Sequence, residues 1–271
     1  MELSLKLLLK AGKKTRKLKL KDWDPDYDAG KKKEEVEKEL VHFSSRISEL
    51  QYKLLAANSQ SLLIILQGVD TSGKDGTIRH VMGALNPQSC YVRPFIAPTT
   101  EELSHDYLWR VHMAVPSKGQ IAIFNRSHYE DIIEVRVHSL VPKSELTPRY
   151  GQINNFEKYL ADNHVTILKF FLQISKHEQK KRLQERLEDP TKRWKISESD
   201  LENRKYWDKY MESYEEALSK CSTKWAPWYI IPANLKWFRN WAVAQIILET
   251  LDSMRLKYPQ PRIDVSKIVI V

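Results

Sequence analysis

The nine residues Gly68-Val69-Asp70-Thr71-Ser72-Gly73-Lys74-Asp75-Gly76 come directly after the apolar run Leu62–Leu66 and before a predicted helix over 75–85. Three of the chain's eight glycines fall in this stretch. The spacing Gly-x-x-x-x-Gly-Lys between a buried strand and a helix is typical of a P-loop. Its glycines let backbone N–H groups approach a phosphate chain, and the helix N-terminus adds partial positive charge. The stretch therefore predicts a phosphate-binding site, with an ordinary strand-to-helix turn as the alternative.

Two positions of this loop depart from the usual pattern. Asp75 stands where a Ser or Thr normally follows the lysine and holds magnesium. Asp70 stands inside the loop, where a carboxylate repels phosphate unless a divalent cation lies between them. We therefore expect Asp70 to contact magnesium, with a turn-forming aspartate bonded to its own backbone as the alternative. The residues of the loop predicted to bind phosphate are Gly68, Thr71, Ser72, Gly73, Lys74, Asp75 and Gly76.

A second polar segment, Asn125-Arg126-Ser127-His128-Tyr129-Glu130-Asp131, follows the apolar run Ile121–Phe124. In P-loop proteins a strand that ends near the phosphates normally carries an aspartate for the metal. Asn125 brings no charge, but its carbonyl is able to hold magnesium directly or through water. Arg126 is predicted to clamp phosphate oxygens with its guanidinium fork. A surface ion pair with Glu130 or Asp131 is the alternative.

A third segment, residues 175–195, holds eight Lys or Arg against four Asp or Glu. Arg182 and Arg186 are four residues apart and so share one face of a predicted helix over 176–188. The cations predicted to bind phosphate beyond this helix are Lys192 and Arg193. The arrangement is typical of a kinase lid, here about residues 176–200, which closes over phosphates and neutralises transition-state charge. A helix that is merely solvated is the alternative.

Apolar runs alternate with amphipathic segments along the chain. A short continuous apolar run is typical of a parallel strand buried on both faces. The predicted strands are 62–66, 91–96, 120–124, 165–174 and 228–231. The predicted helices are 31–58, 75–85, 101–115, 128–140, 149–162, 176–188, 198–220 and 238–257. The alternation predicts an α/β fold with a parallel sheet, helices on both of its faces and right-handed crossovers.

No repeat, low-complexity segment or Pro/Gly-rich linker interrupts the sequence, so we expect one folded domain with an N-terminal extension. The predicted division is a basic arm and helix over 1–58, a P-loop kinase domain over 59–258, and a C-terminal tail over 259–271. Residues 1–20 hold seven Lys or Arg against one Glu. This patch indicates an anionic partner, with a solvated charge run as the alternative.

The composition excludes several classes of protein. The chain has 271 residues, of which 42% are hydrophobic, so it is not a disordered polymer. Its longest apolar runs are far shorter than the ~20 residues that a membrane span needs, and Leu7–Leu9 is too short for a secretory signal. Cys90 and Cys221 have no partners at metal-binding spacing, which indicates neither a disulfide framework nor a zinc site. We expect a cytoplasmic protein.

Four ordered motifs together resemble polyphosphate kinase family 2 over about residues 22–258. The first two are the loop Gly68–Asp75, with its internal Asp and Lys-Asp ending, and the segment Asn125–Tyr129. The third is Asp189-Pro190 followed by Lys192 and Trp194-Lys195. The fourth is Trp225-Ala226-Pro227-Trp228-Tyr229-Ile230-Ile231-Pro232-Ala233-Asn234, followed by Lys236-Trp237.

The resemblance implies a thymidylate-kinase-like P-loop fold with a helical lid. It implies a reversible, magnesium-dependent (or manganese-dependent) transfer of the terminal phosphate of inorganic polyphosphate to a nucleotide, which regenerates ATP. The residues that match the family's phosphate and metal positions are Asp70, Lys74, Arg126, Arg182 and Arg186. Many members have Asp in place of Asn125, and the version here is similar to the class III branch, which phosphorylates both AMP and ADP. Glu130 or Asp131 is expected to supply the lost charge at the metal.

The expected partners are inorganic polyphosphate and adenine or guanine nucleotides, with no membrane and no nucleic acid. The resemblance also implies a homo-oligomer, a dimer or tetramer, with the helix over 31–58 as a candidate interface. Two other functions stay open. An ATP-dependent nucleoside or nucleoside-monophosphate kinase shares the loop and lid, but Ser or Thr is expected at position 75. A nucleic-acid-binding protein fits the basic arm but leaves the P-loop unexplained.

Overall fold

The computed structural model describes residues 8–9, 18–265 and 268. Within them the strands are β1 (Leu8–Leu9), β2 (Ser61–Gln67), β3 (Cys90–Pro94), β4 (Ile121–Asn125), β5 (Val165–Gln173) and β6 (Trp228–Pro232). They form one sheet in the order β1-β6-β5-β2-β4-β3. Strands β2 to β6 pair in parallel, whereas β1 pairs antiparallel with β6 at one edge.

The parallel strands are apolar because helices cover both faces of the sheet. Every residue of β2 is buried, and every residue of β5 except Thr166 is buried. A strand buried on both faces reads as a continuous hydrophobic run, and this is the signal that the sequence carries. The predicted α/β class with a parallel sheet is confirmed, and so is each of the five predicted strands to within two residues.

The helices of the described residues are α1 (Lys33–Ala57), α2 (Lys74–Val81), α3 (Thr100–Ser104), α4 (Trp109–His112), α5 (Glu130–Val137), α6 (Lys143–Asp162), α7 (Lys176–Glu188), α8 (Glu198–Lys205), α9 (Trp207–Cys221) and α10 (Lys236–Ser253). Short 3-10 helices cover Leu20–Asp22 and Arg193–Lys195. Helix α1 packs along α10. In the part of the chain that the structure describes, no helix is long and apolar enough to cross a membrane.

The helices predicted over 75–85 and 238–257 end four residues earlier than predicted, and three others differ more. The helix predicted over 101–115 is two short helices, because the Asp106 side chain accepts the Leu108 N–H and competes with helical bonding. The helix predicted over 198–220 is divided at Tyr206. The helix predicted over 149–162 begins six residues earlier and contains Pro148. That proline removes the hydrogen bond to the Ser144 carbonyl, whose exposed position near the helix start allows water to replace it.

The N-terminal arm is described only in part. Its strand β1 was not predicted, and apart from Lys19 the basic residues of the predicted patch lie outside the described residues. Residues 19 and 20 are tied to α9, because Glu215 accepts hydrogen bonds from the Leu20 backbone N–H and from Lys19 Nζ, both at 2.9 Å. The described end of the arm is therefore anchored to the domain.

The order of the strands decides where polar groups meet. Strand β2 lies between β4 and β5, and the carboxyl ends of all three open at the same edge of the sheet. The loop over 68–73 follows β2, Asn125 ends β4, and α7 begins shortly after β5. Three segments that are distant in sequence therefore meet at this edge.

Candidate active site

The loop over 68–73 has an unusual backbone. Gly68 and Gly73 have φ angles of 149° and 106°, and Thr71 has φ 65°. A left-handed conformation is strained for a β-branched residue such as Thr71 and is held only by its surroundings. A Cβ atom on Gly73 would lie 1.8 Å from Nη1 of Arg239. Glycine is required here by both its φ angle and the close approach of this arginine.

Lys74 begins α2 and is buried beneath the loop. Its Nζ donates hydrogen bonds to the carbonyls of Gly68 at 2.6 Å and Val69 at 3.2 Å. The amino group therefore folds back on the loop in this arrangement instead of extending to a phosphate. Burial, together with the nearby Arg126, lowers the pKa of Lys74 to about 8. Its positive charge is therefore easier to remove than that of an ordinary lysine.

Arg126 stands at the centre of a charged group at the end of β4. Its guanidinium lies 2.7 Å from Asp70, 3.2 Å from Glu130 and 3.6 Å from Glu134. Its own φ is 64°, so the backbone that presents it is strained. Burial alone would raise the pKa of Asp70, but Lys74 and Arg126 outweigh burial and hold that pKa below its ordinary value. Asp70 is therefore ionised and stands beside two cations.

The alternative of a surface ion pair for Arg126 accounts for only one of its three carboxylate contacts. The pair with Glu130 is present, but Glu130 is largely buried, and burial raises the pKa of its carboxyl despite Arg126. Asp131 does not contact Arg126; its carboxylate lies 3.9 Å from Arg110 and 3.8 Å from Arg149. Arg126 thus links a carboxylate of the phosphate loop to carboxylates of α5.

Oxygen ligands for a metal are present but do not form a ready-made cage. The Asn125 side chain donates a hydrogen bond to Asp75 at 2.8 Å, and Asp70 is paired with Arg126 at 2.7 Å. Among residues 18–265 no group of three His, Cys, Asp or Glu is arranged to hold a metal ion. Magnesium is commonly held by one or two carboxylates together with substrate phosphates and water. An ionised Asp70 with the Asn125 carbonyl fits that mode of binding.

Arg182 lies on α7 but is not an open lid residue, because only 5% of it is exposed. Its Nη1 donates to the carbonyls of Thr71 at 2.9 Å and Ser72 at 3.2 Å. Its Nη2 donates to the carbonyls of Ala233 at 2.6 Å and Asn234 at 2.9 Å. The guanidinium therefore clips the phosphate loop to the end of β6.

Arg239 on α10 was missed by the sequence analysis and also contacts the loop. It is 3% exposed, and its Nη1 lies 3.4 Å from the Ser72 carbonyl. Burial, with the neighbouring Arg182, lowers the pKa of Arg239 to about 10. We call Lys74, Arg182 and Arg239 the floor of the site. No local pattern in the predicted helix over 238–257 indicated Arg239 as a site residue, because its contact with the loop depends on how α10 packs.

The second basic region is exposed, and we call residues 186–195 the lid tip. Arg186 lies 3.7 Å from Asp200, and Lys192 pairs with Asp189 at 2.5 Å. Arg193 donates through Nε to the Leu187 carbonyl, so its side chain closes the lid tip on itself. Trp194 is 77% exposed, and its indole N–H donates to the carbonyl of Thr191. Arg182 and Arg186 were predicted to share one helix face, but Arg182 is buried against the phosphate loop whereas Arg186 is partly exposed in the lid tip.

Two cavities open on either side of the phosphate loop. The larger, of about 810 Å³, lies toward α1 and α10 and is lined by several cations. These cations are Lys33, Lys181, Arg182, Arg186, Lys192, Lys236 and Arg239. The smaller, of about 520 Å³, is lined by Asp70, Lys74, Asp75, Asn125, Arg126, Arg186, Lys192, Trp194 and Lys195. The loop, Arg186 and Lys192 line both cavities, so ligands in the two would meet at these residues.

A buried polar cluster supports the end of β4 from behind. Lys169 and Glu157 form an ion pair of 2.5 Å in which both side chains are fully buried. The Tyr129 hydroxyl donates to Glu157 at 2.9 Å and accepts from Lys169 Nζ at 2.8 Å. Lys169 and His128, which lies 3.2 Å from Glu157, outweigh burial and hold the pKa of Glu157 below its ordinary value. The cluster fixes the residues that directly follow Arg126.

A family profile, individual related sequences and a solved structure all place the chain in the same family. Residues 30–259 match the profile of a family described as Polyphosphate kinase 2. The chain is 50% identical over 258 residues to the AMP/ADP-polyphosphate phosphotransferase of Meiothermus ruber, covering 94% of this chain and 96% of that protein. It is 43% identical over 249 residues to the ADP-polyphosphate phosphotransferase of Rhodopseudomonas palustris, covering 88% and 85% of the two chains.

The fold is also similar to a solved structure. The polyphosphate kinase 2 of Arthrobacter aurescens superposes with a TM-score of 0.93 at 42% identity, covering 97% of this chain and 94% of that one. The likeness therefore extends over the sheet, the phosphate loop and the helices on both faces. The predicted P-loop kinase-like fold is confirmed.

Proposed function

The chain belongs to the polyphosphate kinase 2 family, and we propose that it transfers the terminal phosphate of inorganic polyphosphate to AMP or ADP. The observation that carries this proposal is the pair of cavities that share the phosphate loop, Arg186 and Lys192. A transfer between two phosphate-bearing substrates needs a donor site and an acceptor site whose ends meet at one set of cations.

The chemistry of the two cavities suggests which substrate each one takes. The larger cavity is open and rich in Lys and Arg, which suits a long polyanion that offers only phosphate groups. The smaller cavity adds an exposed indole and the amide of Asn125 to its charges, which suits a nucleotide with a base and a sugar. Polyphosphate in the larger cavity and AMP or ADP in the smaller one would bring donor and acceptor phosphates together at the loop.

The chain's own residues then supply positioning and charge. Phosphoryl transfer passes through a loose transition state, so a protein accelerates it mainly by aligning the groups and neutralising charge on the oxygens. Lys74 would exchange its loop carbonyls for phosphate oxygens, and Arg126 and Arg186 would neutralise charge from opposite sides. The acceptor phosphate already carries a nucleophilic oxygen, so no strong general base is required.

A divalent metal completes the proposal, with magnesium as the first choice and manganese as its substitute. Asp70 would hold it with the Asn125 carbonyl and substrate phosphates, and the ion would neutralise phosphate charge beside the ionised carboxylate. Glu130 stays a predicted contact of the ion, but Asp70 is the better ligand, because burial raises the pKa of the Glu130 carboxyl whereas that of Asp70 is held low.

A direct assay tests the proposal. The full chain is incubated with magnesium, AMP or ADP, and either polyphosphate or ATP as the donor, and the nucleotides are separated by chromatography. We expect ADP and ATP to form from AMP, and ATP from ADP, when polyphosphate is present. Transfer to nucleosides or nucleoside monophosphates from ATP alone would contradict the proposal and favour the ATP-dependent kinase.

We also propose that the protein is a homo-oligomer, with the exposed side of α1 as the interface. Val41 and Tyr52 on that helix are 73% and 60% exposed, so an interface there would remove apolar surface from water. Light scattering on the wild-type protein and on Val41→Lys/Tyr52→Lys separates an oligomer from a monomer. The cytoplasmic location and the domain division remain predictions.

A further inference from the structure

Arg239 is a buried cation that has no carboxylate partner among residues 18–265. Only 3% of the residue is exposed. In the part of the chain that the structure describes, its guanidinium donates to the Asn240 side chain at 3.2 and 2.8 Å and to the Ser72 carbonyl at 3.4 Å. No Asp or Glu of residues 18–265 forms an ion pair with it. A guanidinium has more N–H groups than these contacts use.

Three of the other four buried cations in the described residues have a carboxylate partner, and the fourth, Lys74, is the lysine of the phosphate loop itself. Lys169 has Glu157 at 2.5 Å, Arg110 has Glu102 at 3.3 Å, and Arg182 has Glu178 at 2.7 Å. Burying a cation is costly unless an anion or a full set of hydrogen bonds compensates it. Arg239 lacks such an anion among residues 18–265, and the neighbouring cation Arg182, together with burial, lowers its pKa. Its place in the fold is therefore not explained by stability.

The location of Arg239 indicates what the missing anion is. The guanidinium lies against Gly73 and Gly76 of the phosphate loop, on the side that faces the larger cavity, and it lines that cavity. A Cβ on Gly76 would lie 3.1 Å from its Nη2, so the loop leaves just enough room for the arginine to reach it. A phosphate chain in this cavity would pass beside the guanidinium, next to the glycine backbone of the loop.

We propose that Arg239 is a binding residue for the donor, whose charge is left uncompensated by the fold and is neutralised when the polyphosphate chain enters the larger cavity. This inference rests on the proposed function, in which polyphosphate is the donor. It adds to that function a binding residue that the fold keeps at a cost in stability. Two consequences follow that a purely structural arginine would not produce. Removing the charge should stabilise the free protein or leave its stability unchanged. It should weaken the binding of polyphosphate but not the binding of the nucleotide.

The test compares wild type with Arg239→Met and Arg239→Lys, using Arg255→Met as the control at an exposed position of the chain. We expect Arg239→Met to melt at the wild-type temperature or above without ligand. We expect its dissociation constant for tripolyphosphate and longer polyphosphate to rise about tenfold or more, as for the loss of a charge-assisted contact. Arg239→Lys should recover part of this affinity, and the KM for ADP should stay within about twofold.

Salt dependence gives an independent readout. Binding of a polyanion releases counterions, so removing one cation that contacts it lowers the slope of log affinity against log salt by about one. Arg239→Met should show this lower slope, and Arg255→Met should not. A lower melting temperature with unchanged polyphosphate affinity and slope would overturn the inference and make Arg239 a structural residue. Should Arg239→Met not fold, the affinity and slope of Arg239→Lys decide the question. If wild type binds no polyphosphate, the proposed function fails, and with it the premise of this inference.

Discussion

Arg182 in the floor and Arg186 in the lid tip are four residues apart on α7, yet their surroundings differ. Arg182 is almost fully buried, and its guanidinium donates to four backbone carbonyls and to Glu178. The Arg186 side chain is 22% exposed and pairs loosely with Asp200. A cation with a full set of protein partners holds the loop in shape, and a cation with few partners is free to meet a phosphate. The two regions therefore contribute charge of the same sign to different tasks.

The largest effect is expected from the floor. Lys74→Ala should lower turnover by about 10³-fold or more, because its amino group lies against the loop carbonyls and the neighbouring Arg182 is already held by backbone carbonyls and so does not replace it. Circular dichroism and melting curves check that the variant folds, and the polyphosphate assay measures turnover. Near-wild-type turnover in a folded Lys74→Ala protein would show that the floor takes no part in transfer.

The two arginines of α7 give the sharpest contrast. Arg182→Ala should destabilise the protein by about 3 kcal/mol, because four backbone carbonyls and Glu178 lose their donor, and activity should fall with stability. Arg186→Ala should leave the melting temperature unchanged while lowering kcat by about 10²-fold or more. Urea unfolding and steady-state kinetics on both variants separate the two effects. If both lose kcat without losing stability, Arg182 is an open lid residue after all.

An intermediate effect is expected from pH. Lys74 lies at the loop where the two cavities meet, and phosphate binds its charged form. Affinity for the terminal phosphates of the donor should therefore be strongest below the residue's pKa of about 8 and should weaken as the pH rises through it. A guanidinium stays charged over this range, so an arginine in place of Lys74 should remove the dependence. The measurement is the dissociation constant of tripolyphosphate between pH 7 and about 9.5 for wild type and Lys74→Arg. A variant profile as steep as that of wild type would assign the titration to another group.

The smallest effect is expected from Lys192, an exposed residue of the lid tip. Lys192 is exposed and already paired with Asp189, and such pairs contribute little. Lys192→Ala should raise the KM for polyphosphate only about two- to threefold and should leave kcat close to wild type, with a steeper loss at low salt. Kinetics at two ionic strengths check this. A loss of kcat as large as that of Arg186→Ala would move Lys192 from the rim to the transferring phosphate.

Sequence patterns predicted the strands and the phosphate loop because each of them is specified by consecutive residues. The apolar run that forms β2 and the glycine spacing after it carry their own signal, and Lys74 follows from that spacing. Helical spacing also predicted that Arg182 and Arg186 point to the same side. It could not predict that carbonyls from β6 cover only the first of them, because that contact depends on a strand about fifty residues away.

The residues that the sequence analysis missed depend on packing in the same way. Lys169 is a lone charge in the apolar run of β5, and that pattern alone signals a buried partner. Its partner Glu157 lies on α6 and could not be chosen among the chain's other carboxylates. Arg239 had no signal of its own, because its distance to Gly73 is set by the packing of α10 against α2.

The buried pair of Lys169 and Glu157 has a consequence for how the site responds to heat. Hydration of charged groups becomes less favourable as temperature rises, so the cost of keeping these two ions away from water shrinks on warming. The long exposed side chains of the lid tip gain no such benefit, and their freedom increases. On warming, the buried cluster behind Arg126 should therefore stay intact after the lid tip has begun to loosen. Heat should first disturb closure over the substrates and only later the phosphate-binding residues at the end of β4.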